Sequence, residues 1–144
     1  IMKEYSGKLI SILYRKSQIF WAQTLKAYDI ASGEYPILIV LNRQDGITQD
    51  EIASELGIDK SAITRVVKSL LEKGFIERKK DLEDLRCNRI YLTEKGRESW
   101  EPIQKGREEW EAIMSKNLKK EETEEVIRIL SQMVENIEEY FEED

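Results

Sequence analysis

A chain of 144 residues, 40% apolar and 36% charged with a net charge of −6, is long enough for one domain with a hydrophobic core. The absence of histidine and the presence of a single cysteine, Cys87, exclude histidine-based catalysis, the commonest metal sites and an intrachain disulfide framework. Because the sequence has no apolar run near the roughly 18 residues of a membrane span and opens with no signal-peptide pattern, we expect a cytoplasmic protein with no membrane partner and no cofactor.

The N-terminal stretch, residues 1 to about 28, is predicted to form one long helix. It lacks proline, and its apolar residues cover more than one stripe of the helix surface, which indicates packing against its own domain and against a second surface. Residues 31–33 interrupt this helix. An apolar second helix follows from Glu34 to Asn42, with Pro36 in its first turn, and residues 45–46 form a turn into the next segment.

Residues 48–73 have the pattern of two short helices separated by a tight turn. Thr48 and Glu51 can form a capping box at the start of the first helix. Gly57 supplies the left-handed backbone that a sharp turn between helices requires. We expect Ile58 to fill the core beneath that turn.

The second of these helices, about residues 59–73, has a broad apolar stripe and an opposite polar face. Asp59 or Ser61 is expected to cap its start, and Gly74 follows its last turn. Basic and hydroxyl side chains suit phosphate and base-edge contacts in a DNA major groove. A surface helix that contacts only solvent can have the same outer face. This pattern alone therefore leaves open whether the face binds DNA or is only solvated. The face consists of Lys60, Ser61, Thr64, Arg65, Lys68 and Ser69, and all of these except Ser69 are predicted DNA contacts.

A β-hairpin with a long charged loop is predicted over about residues 76–92. Two alternating segments, 75–78 and 89–92, flank a polar stretch that is too long for a two-residue turn. Beside a basic helix, such a loop can lie in a minor groove, where arginine is favoured, although a solvated turn has a similar composition. Asp81 and Asp84 are expected to pair with arginines and stiffen the loop. The predicted DNA contacts of the hairpin are Arg78, Lys80, Arg86 at the tip, and Arg89.

Two further helices are predicted after the hairpin. Thr93 caps the first, which extends to about residue 117 and has a weak or kinked first part at Gly96, Pro102 and Gly106. The last helix, about residues 120–141, has apolar residues at alternating steps of four and three, the spacing of a coiled-coil seam. Because a small core cannot cover these surfaces, we predict a homodimer interface built from both chain ends. A monomer whose helices cover one core is the alternative.

The charge is divided unevenly along the chain. Residues 60–97 contain 11 Lys or Arg against 6 Asp or Glu, a net charge of +5. Residues 98–144 contain 6 against 15, a net charge of −9. Electrostatic affinity for DNA depends on the charge that faces the phosphates rather than on the total, so the basic middle is predicted to face nucleic acid.

Residues 48–97 resemble the DNA-binding core of the multiple-antibiotic-resistance regulator (MarR) family. The pattern T-x-x-E-I-A-x-x-L-G-I starts at Thr48, and the second helix reads S-A-I-T-R-V-V-K-S-L-L-E-K-G-F-I-E-R. The loop D-L-E-D-L-R is similar to that family's D-x-x-D-x-R wing, and it is followed by I-Y-L-T-E-K-G-R. Leu82 stands where many relatives have proline and Leu85 where a basic residue is frequent, so we expect lower affinity of the wing for DNA.

The resemblance implies a mainly α (α+β) fold, a winged helix-turn-helix with long terminal dimerisation helices. It implies a dimerisation helix at residues 1–30, a DNA-binding domain at 31–97 and dimerising helices at 98–144. A two-fold dimer would place its recognition helices about 34 Å apart, over an inverted-repeat operator. The family's function implies a sequence-specific transcriptional regulator, a repressor released by a small aromatic or phenolic effector. The candidate effector-binding residues are Trp21, Tyr28, Tyr35 and Trp110.

Two other functional classes fit parts of the sequence. A winged helix can serve as a protein-interaction module without binding DNA. An enzyme is disfavoured because the acidic residues cluster on helices predicted to be exposed, without a metal-ligand array or a phosphate-binding loop; no catalytic and no metal residues are predicted. The position of Cys87 near Arg86 and Arg89 could lower its pKa, but an unreactive thiol is the favoured interpretation over a redox sensor.

Overall fold

The structure, a computed structural model, describes residues 4–142 in two compact units, one ending at Glu108 and the next beginning at Glu109. The division falls within the sixth α-helix. The elements are α1 (Ser6–Thr24), a 3-10 turn (Lys26–Tyr28), α2 (Tyr35–Arg43), β1 (Ile47–Thr48), α3 (Gln49–Leu56), α4 (Lys60–Lys73), β2 (Ile76–Lys80), β3 (Asn88–Leu92), α5 (Glu94–Glu98), α6 (Trp100–Met114) and α7 (Lys120–Glu142).

The helix-turn-helix, α3 and α4, begins with the predicted cap. The Thr48 side chain accepts a hydrogen bond from the Glu51 N–H at 3.1 Å, and the Glu51 carboxylate accepts from the Thr48 hydroxyl at 3.2 Å. That second contact replaces the backbone bond of a standard capping box. Gly57 has φ 63° and ends α3 in the left-handed conformation, which confirms its predicted role.

A three-stranded antiparallel sheet in the order β1-β3-β2 completes the winged helix-turn-helix. The predicted hairpin is confirmed: Ile76 pairs with Leu92 and Lys80 with Asn88. The third strand, β1, was not predicted. It has two residues, of which Ile47 pairs with Ile90, and so short a strand leaves no alternating pattern in the sequence.

The core of the first unit lies between the helices and one face of the sheet. Its apolar side chains come from α1, α2, α3, α4, the strands and α6, so a single cluster joins all of these elements. The most completely buried are Leu25, Ile37, Leu38, Leu41, Ile52, Ile63, Val67, Leu70, Ile90 and Ile103.

Two sequence predictions about this unit are wrong. Ile58 is 39% exposed rather than buried beneath the helix-turn-helix, because the turn at Gly57 directs it outward. The single helix predicted from residue 93 is instead two helices, α5 and α6, separated at Ser99. The Ser99 hydroxyl donates to the Gly96 carbonyl at 2.5 Å, and its N–H is shared between the carbonyls of Lys95 and Gly96.

The second unit contains the end of α6 and the whole of α7. Helix α7 has no buried residue, and its predicted seam of apolar side chains is exposed. Within residues 4–142, no helix combines the length and the apolar character needed to cross a membrane.

Candidate nucleic-acid interface

Helix α4 turns its polar face to solvent because its other side is anchored in the core. Ile63, Val67 and Leu70 are at most 1% exposed. Gly74, with φ 80°, ends the helix in the left-handed conformation, as predicted. The five predicted DNA contacts of α4 are all exposed along one side of the helix: Lys60, Ser61, Thr64, Arg65 and Lys68.

The first turn of α4 carries two pairs of charged or polar side chains. The Ser61 hydroxyl donates to the Asp59 carboxylate, and this bond, with smaller contributions from backbone N–H groups and Arg65, lowers the pKa of Asp59. Asp59 itself stands at the N-cap position without a side-chain cap. Lys60 Nζ lies 3.4 Å from a carboxylate oxygen of Asp50, at the start of α3. Both pairs are exposed, so DNA phosphates can compete for Lys60 and Ser61.

The middle of α4 offers the cations with the fewest competing contacts. Within residues 4–142, Arg65 and Lys68 are in no ion pair. Thr64 donates to the Lys60 carbonyl at 2.9 Å and lies 3.4 Å from the Gln49 amide nitrogen. Arg65 and Lys68 are therefore the side chains of this face that are best placed to bind an external anion.

Ser69, which the sequence placed on the same polar face, points elsewhere. Its hydroxyl donates to the carboxylate of Glu34 at 2.6 Å, and Lys73 Nζ donates to the same carboxylate at 2.7 Å. Glu34 is only 3% exposed and also accepts from the Ala31 N–H at 2.7 Å. Its burial acts to raise its pKa, but the hydrogen bonds from Lys73, Ser69 and Ala31 outweigh that effect and lower the pKa.

Lys73 extends this network to the residue that follows the 3-10 turn. Its ammonium donates to the Asp29 carbonyl at 3.0 Å and lies 3.6 Å from the Asp29 carboxylate. Burial acts to lower the pKa of Lys73, and the contacts with Glu34 and Asp29 raise it overall. The end of α4 is thus joined to the segment before α2 by charge-assisted hydrogen bonds.

The base of the wing loop, residues 81–87, is closed by an ion pair. Arg89 Nε donates to Asp81 at 3.0 Å, and Arg89 Nη1 donates to the Gly46 carbonyl at 2.7 Å. The Glu83 N–H also donates to Asp81, and together with Arg89 it lowers the pKa of that carboxyl. Arg89, a predicted DNA contact, is therefore occupied in holding the wing against the turn before β1.

The tip of the wing loop has a second ion pair. Arg86 Nε donates to Asp84 at 3.1 Å, and this bond lowers the pKa of Asp84. The expectation that Asp81 and Asp84 pair with arginines is confirmed. The Arg86 side chain is nevertheless 90% exposed, so it can reach an external anion. Lys80 donates to the Leu85 carbonyl at 3.1 Å, and Arg78 is exposed on the same face of β2 as Lys80.

A shallow surface pocket of about 250 Å³ connects the wing with the helix-turn-helix. Thr48, Gln49 and Asp50 line it from the start of α3, and Arg86, Cys87 and Asn88 line it from the wing. Gln49 also donates to the Thr64 hydroxyl at 3.4 Å, so one side chain at the start of α3 contacts α4 and lines the pocket beside the wing. Of the cationic side chains that the sequence singled out, Arg86 lines this pocket directly, and Lys60 is paired with Asp50 of its lining.

Cys87 lies beside an acidic group rather than in a cationic setting. Its Sγ is 3.6 Å from a carboxylate oxygen of Asp84. That hydrogen bond, together with the charge of Asp84, raises the pKa of the thiol, whereas Arg86 lowers it by less. The lowered pKa considered from the sequence is therefore wrong, and the thiol is less ionised than an ordinary cysteine at neutral pH.

The aromatic residues proposed for effector binding differ in their surroundings. Trp21 is 3% exposed and stacks on Tyr35 with ring centroids 4.1 Å apart. Burial raises the pKa of Tyr35 to about 12. Tyr28 is 51% exposed in the 3-10 turn, and Trp110 is partly buried in the second unit. Effector binding by these residues stays a prediction.

Comparisons with known proteins identify this arrangement. The family model described as MarR family matches residues 30–88. A solved MarR transcriptional regulator from Methanosarcina mazei Go1 is 36% identical and superposes with a TM-score of 0.88, covering 96% of this chain and 99% of that chain. The chain belongs to the MarR family. Its winged module is accordingly that of a helix-turn-helix transcriptional regulator, as the sequence resemblance implied.

Other MarR-like proteins extend the comparison. The uncharacterized HTH-type transcriptional regulator YdgJ of Bacillus subtilis is 33% identical over 108 residues, which make up 75% of this chain and 66% of YdgJ. A MarR family regulator from Listeria monocytogenes, solved as a complex with 26mer DNA, is 25% identical with a TM-score of 0.87. The match covers 94% of this chain and 90% of that chain.

Several residues that organise this MarR surface were not found from the sequence. Gln49 and Asp50 connect α3 to α4. The sequence offered one signal for this role: the Thr48 cap places both residues in the first turn of α3. Asp45 accepts a hydrogen bond from the Leu92 N–H at 2.9 Å, and nothing local to its Asp-Gly turn indicates that partner. In the sequence, Glu34 was recognisable only as the first residue of an apolar helix, and nothing indicated its contacts with Ser69 and Lys73.

Proposed function

We propose that this MarR-family chain acts as a homodimeric, sequence-specific DNA-binding repressor in the cytoplasm. Helix α4 would read base edges in a major groove, and the wing would enter the adjacent minor groove. It would act by binding and not by catalysis. In this proposal, the operator is an inverted repeat whose half-sites match two reading heads about one helical turn of DNA apart.

The observation that carries the proposal is the exposed cationic face of α4. Arg65 and Lys68 stand on a helix whose opposite side is fully buried, so the helix cannot turn them away from a partner. Neither side chain is in an ion pair within residues 4–142. A fixed helix with free arginine and lysine side chains suits bidentate contacts with guanine and point contacts with phosphate.

The wing supplies the second contact. Arg86 is exposed at its tip, and Arg78 and Lys80 are exposed along β2. Arginine is the side chain that the negative potential of a narrow minor groove attracts most strongly. Arg89 would act indirectly, since its hydrogen bonds to Asp81 and Gly46 set the position of the loop.

The proposed dimer rests on apolar surface that the single chain leaves uncovered. On α7, Leu130 is 44% and Ile137 is 57% exposed, and on α1, Leu9 and Leu13 are 48% and 51% exposed. Exposed apolar stripes of this length on helices are typical of protein–protein interfaces. A second copy of the chain would cover them.

A small aromatic or phenolic effector would complete the regulation. Tyr35, which is partly exposed and stacks on the buried Trp21, is a candidate contact together with Tyr28, and Trp110 is a further candidate in the second unit. Binding there would release the operator if it changed the spacing of the two reading heads.

The proposal can be tested with duplexes that the protein itself selects from a randomised 26-base-pair library. Affinity for the selected duplex should fall linearly with the logarithm of salt concentration and should exceed affinity for a scrambled duplex by about 1,000-fold. Arg65→Ala should reduce that preference by about tenfold, because it removes base-edge contacts. Arg86→Ala should weaken binding to both duplexes and lower the salt slope by about one.

Lys26→Ala is the matched control, because it removes an exposed positive charge from the 3-10 turn, far along the chain from α4 and the wing. It should leave both the preference and the slope unchanged. If the library yields no enriched duplex, or if affinity does not depend on salt, the DNA proposal is wrong, and the winged-helix protein-interaction module becomes the better interpretation.

A further inference from the structure

The tip of the wing carries an apolar side chain that is not part of the hydrophobic core. Leu82 is 95% exposed, more than any other large hydrophobic residue within residues 4–142. Leu85, three residues later, is 64% exposed. Isolated exposed leucines are common on protein surfaces. Leu82 differs from these leucines because hydrogen bonds order its loop and because charged side chains lie beside it in that loop.

The loop that presents Leu82 is held by its own hydrogen bonds. The Asp81 N–H donates to the Cys87 carbonyl at 3.0 Å, and the Glu83 N–H donates to the Asp81 carboxylate at 2.8 Å. Farther along, the Cys87 N–H donates to the Asp84 carbonyl at 2.9 Å. These bonds fix the backbone on both sides of Leu82, so its exposure is a property of an ordered turn.

The carboxylates beside Leu82 differ in their partners. Asp81 is paired with Arg89 and Asp84 with Arg86, so two of the three carboxylates in the loop do not act as free negative charges. The tip therefore combines two exposed leucines, Leu82 and Leu85, with the exposed Arg86–Asp84 ion pair. The third carboxylate, that of Glu83, is in no ion pair within residues 4–142. The pocket between Arg86 and the start of α3 lies beside this tip.

We propose that Leu82 enters the minor groove as an apolar wedge beside Arg86 and partly unstacks one base step. This inference rests on the proposed DNA-binding function and adds a shape-reading element to it. Apolar side chains at the tips of minor-groove-binding elements can insert between base pairs and kink the duplex. The sequence preference that results favours flexible pyrimidine–purine steps at the position of the wing.

The wedge has a signature that distinguishes it from contacts with phosphate. Leucine displaces no counterions, so its contribution to affinity should be independent of salt, whereas Arg86 should contribute to the salt slope. Removing Leu82 should therefore lower affinity equally at every salt concentration. An electrostatic effect would not produce a parallel shift of that kind, and measurement of thermal unfolding separates the wedge from a loss of folded protein.

The experiment compares Leu82→Asn, which keeps the branched shape but loses the apolar surface, with Leu82→Met, which keeps the apolar surface. Both variants should unfold at the wild-type temperature because the side chain is exposed. On a duplex selected from a randomised library by the wild-type protein, Leu82→Asn should bind about tenfold more weakly with an unchanged salt slope. Leu82→Met should bind within about twofold of the wild-type protein.

A second readout reports the base step directly. Duplexes with 2-aminopurine placed at successive positions across the half-site flanks should become brighter at one step when the wild-type protein or Leu82→Met binds. Leu82→Asn should leave that step dark. Equal affinity of Leu82→Asn and wild type, an altered salt slope, or no brightening at any step with the wild-type protein would overturn the wedge.

These outcomes are separate from a failure of the proposed function, in which the wild-type protein selects no duplex at all. They also separate DNA from another occupant of the tip. If Leu82→Asn changes the sedimentation coefficient of the free protein, Leu82 lies between copies of the chain, and the wedge is wrong.

Discussion

Glu34 is the residue whose environment differs most from what its type suggests. A carboxylate with 3% exposure ordinarily favours its neutral form, yet its three donors hold it ionised. Since two of those donors, Ser69 and Lys73, belong to the last turns of α4, the position of that helix depends on the charge state of one side chain before α2. A single neutralisation at residue 34 should therefore weaken the anchor of α4.

Replacing Glu34 by glutamine should destabilise the protein by about 2 kcal/mol at pH 7. Glutamine has nearly the same shape, but it loses the ion pair with Lys73 and leaves that ammonium with only Asp29. Urea denaturation followed by circular dichroism measures the change. Glu55→Gln is the control, because Glu55 forms an exposed ion pair with Arg43 and should cost less than about 0.5 kcal/mol.

The same pair of proteins should show a defined pH dependence. The pKa of Glu34 is below its ordinary value of 4.5 in the folded state, so the ionised group stabilises the fold above pH 4.5. That stabilisation is lost as the pH falls through the lowered pKa. The stability difference between wild type and Glu34→Gln should be constant above pH 5 and shrink below about pH 4. A difference that grows on acidification would contradict this assignment.

Among the elements, the junction of β2, β3 and α5 is closely packed around Gly96. The Thr93 hydroxyl donates to the Gly74 carbonyl at 2.6 Å and also accepts from the Gly96 N–H at 3.1 Å. The Thr93 N–H donates to the Phe75 carbonyl at 3.1 Å. Thr93 therefore caps α5 and connects it to the end of α4. The close approach of these elements leaves no room for a side chain at residue 96.

Gly96→Ala should destabilise the fold by about 3 kcal/mol. The added Cβ would collide with the Phe75 carbonyl oxygen and lie 2.9 Å from Leu92 Cδ2, and the first of these is backbone that cannot rotate away. Thermal denaturation measures the loss. Gly33→Ala is the matched control: nothing lies within 4 Å of its added Cβ, so its stability should equal or slightly exceed that of the wild-type protein.

At the scale of the whole molecule, charge and apolar surface are divided along the chain. The basic stretch 60–97 contains α4 and the wing, and the acidic stretch 98–144 contains α7, whose apolar seam is exposed. A seam without core contacts cannot contribute hydrophobic stabilisation in a monomer. We therefore expect α7 to be stable only where a second copy covers that seam.

Leu130→Asp should convert the proposed dimer into monomers, because it places a charge in the centre of the α7 seam. Operator affinity should fall by about 100-fold, since two linked reading heads bind more tightly than one. Sedimentation equilibrium and duplex titration measure the two effects.

Gln132→Asp is the control, because it adds the same charge off the apolar seam, where Gln132 donates to Asn136 at 2.9 Å. It should remain a dimer with wild-type affinity. A wild-type protein that sediments as a monomer, or a Leu130→Asp variant that remains dimeric, would contradict the proposed interface.

Interactions between near neighbours were determined by the sequence itself. The bounds of α4, its glycine terminator and the Thr48 cap depend on residues within one or two helical turns, and each was predicted correctly. Periodicity predicted the two helices and the hairpin, and the resemblance to the MarR family combined them into a winged helix-turn-helix. The carboxylate–arginine pairs of the wing were also predictable, since the partners belong to one short hairpin.

Contacts between distant residues were decided only by the tertiary structure. Ser69 reaches a carboxylate 35 positions earlier, and Arg89 reaches a carbonyl 43 positions earlier, so neither role is visible in the local pattern. Strand β1 exists because β3 supplies its hydrogen-bonding partners, and Gly96 of α5 lies against the Phe75 carbonyl and Leu92. The physical reason is that periodicity determines which face of an element is apolar. The direction of a polar side chain at the edge of that face depends on which donor or acceptor the folded chain brings near it.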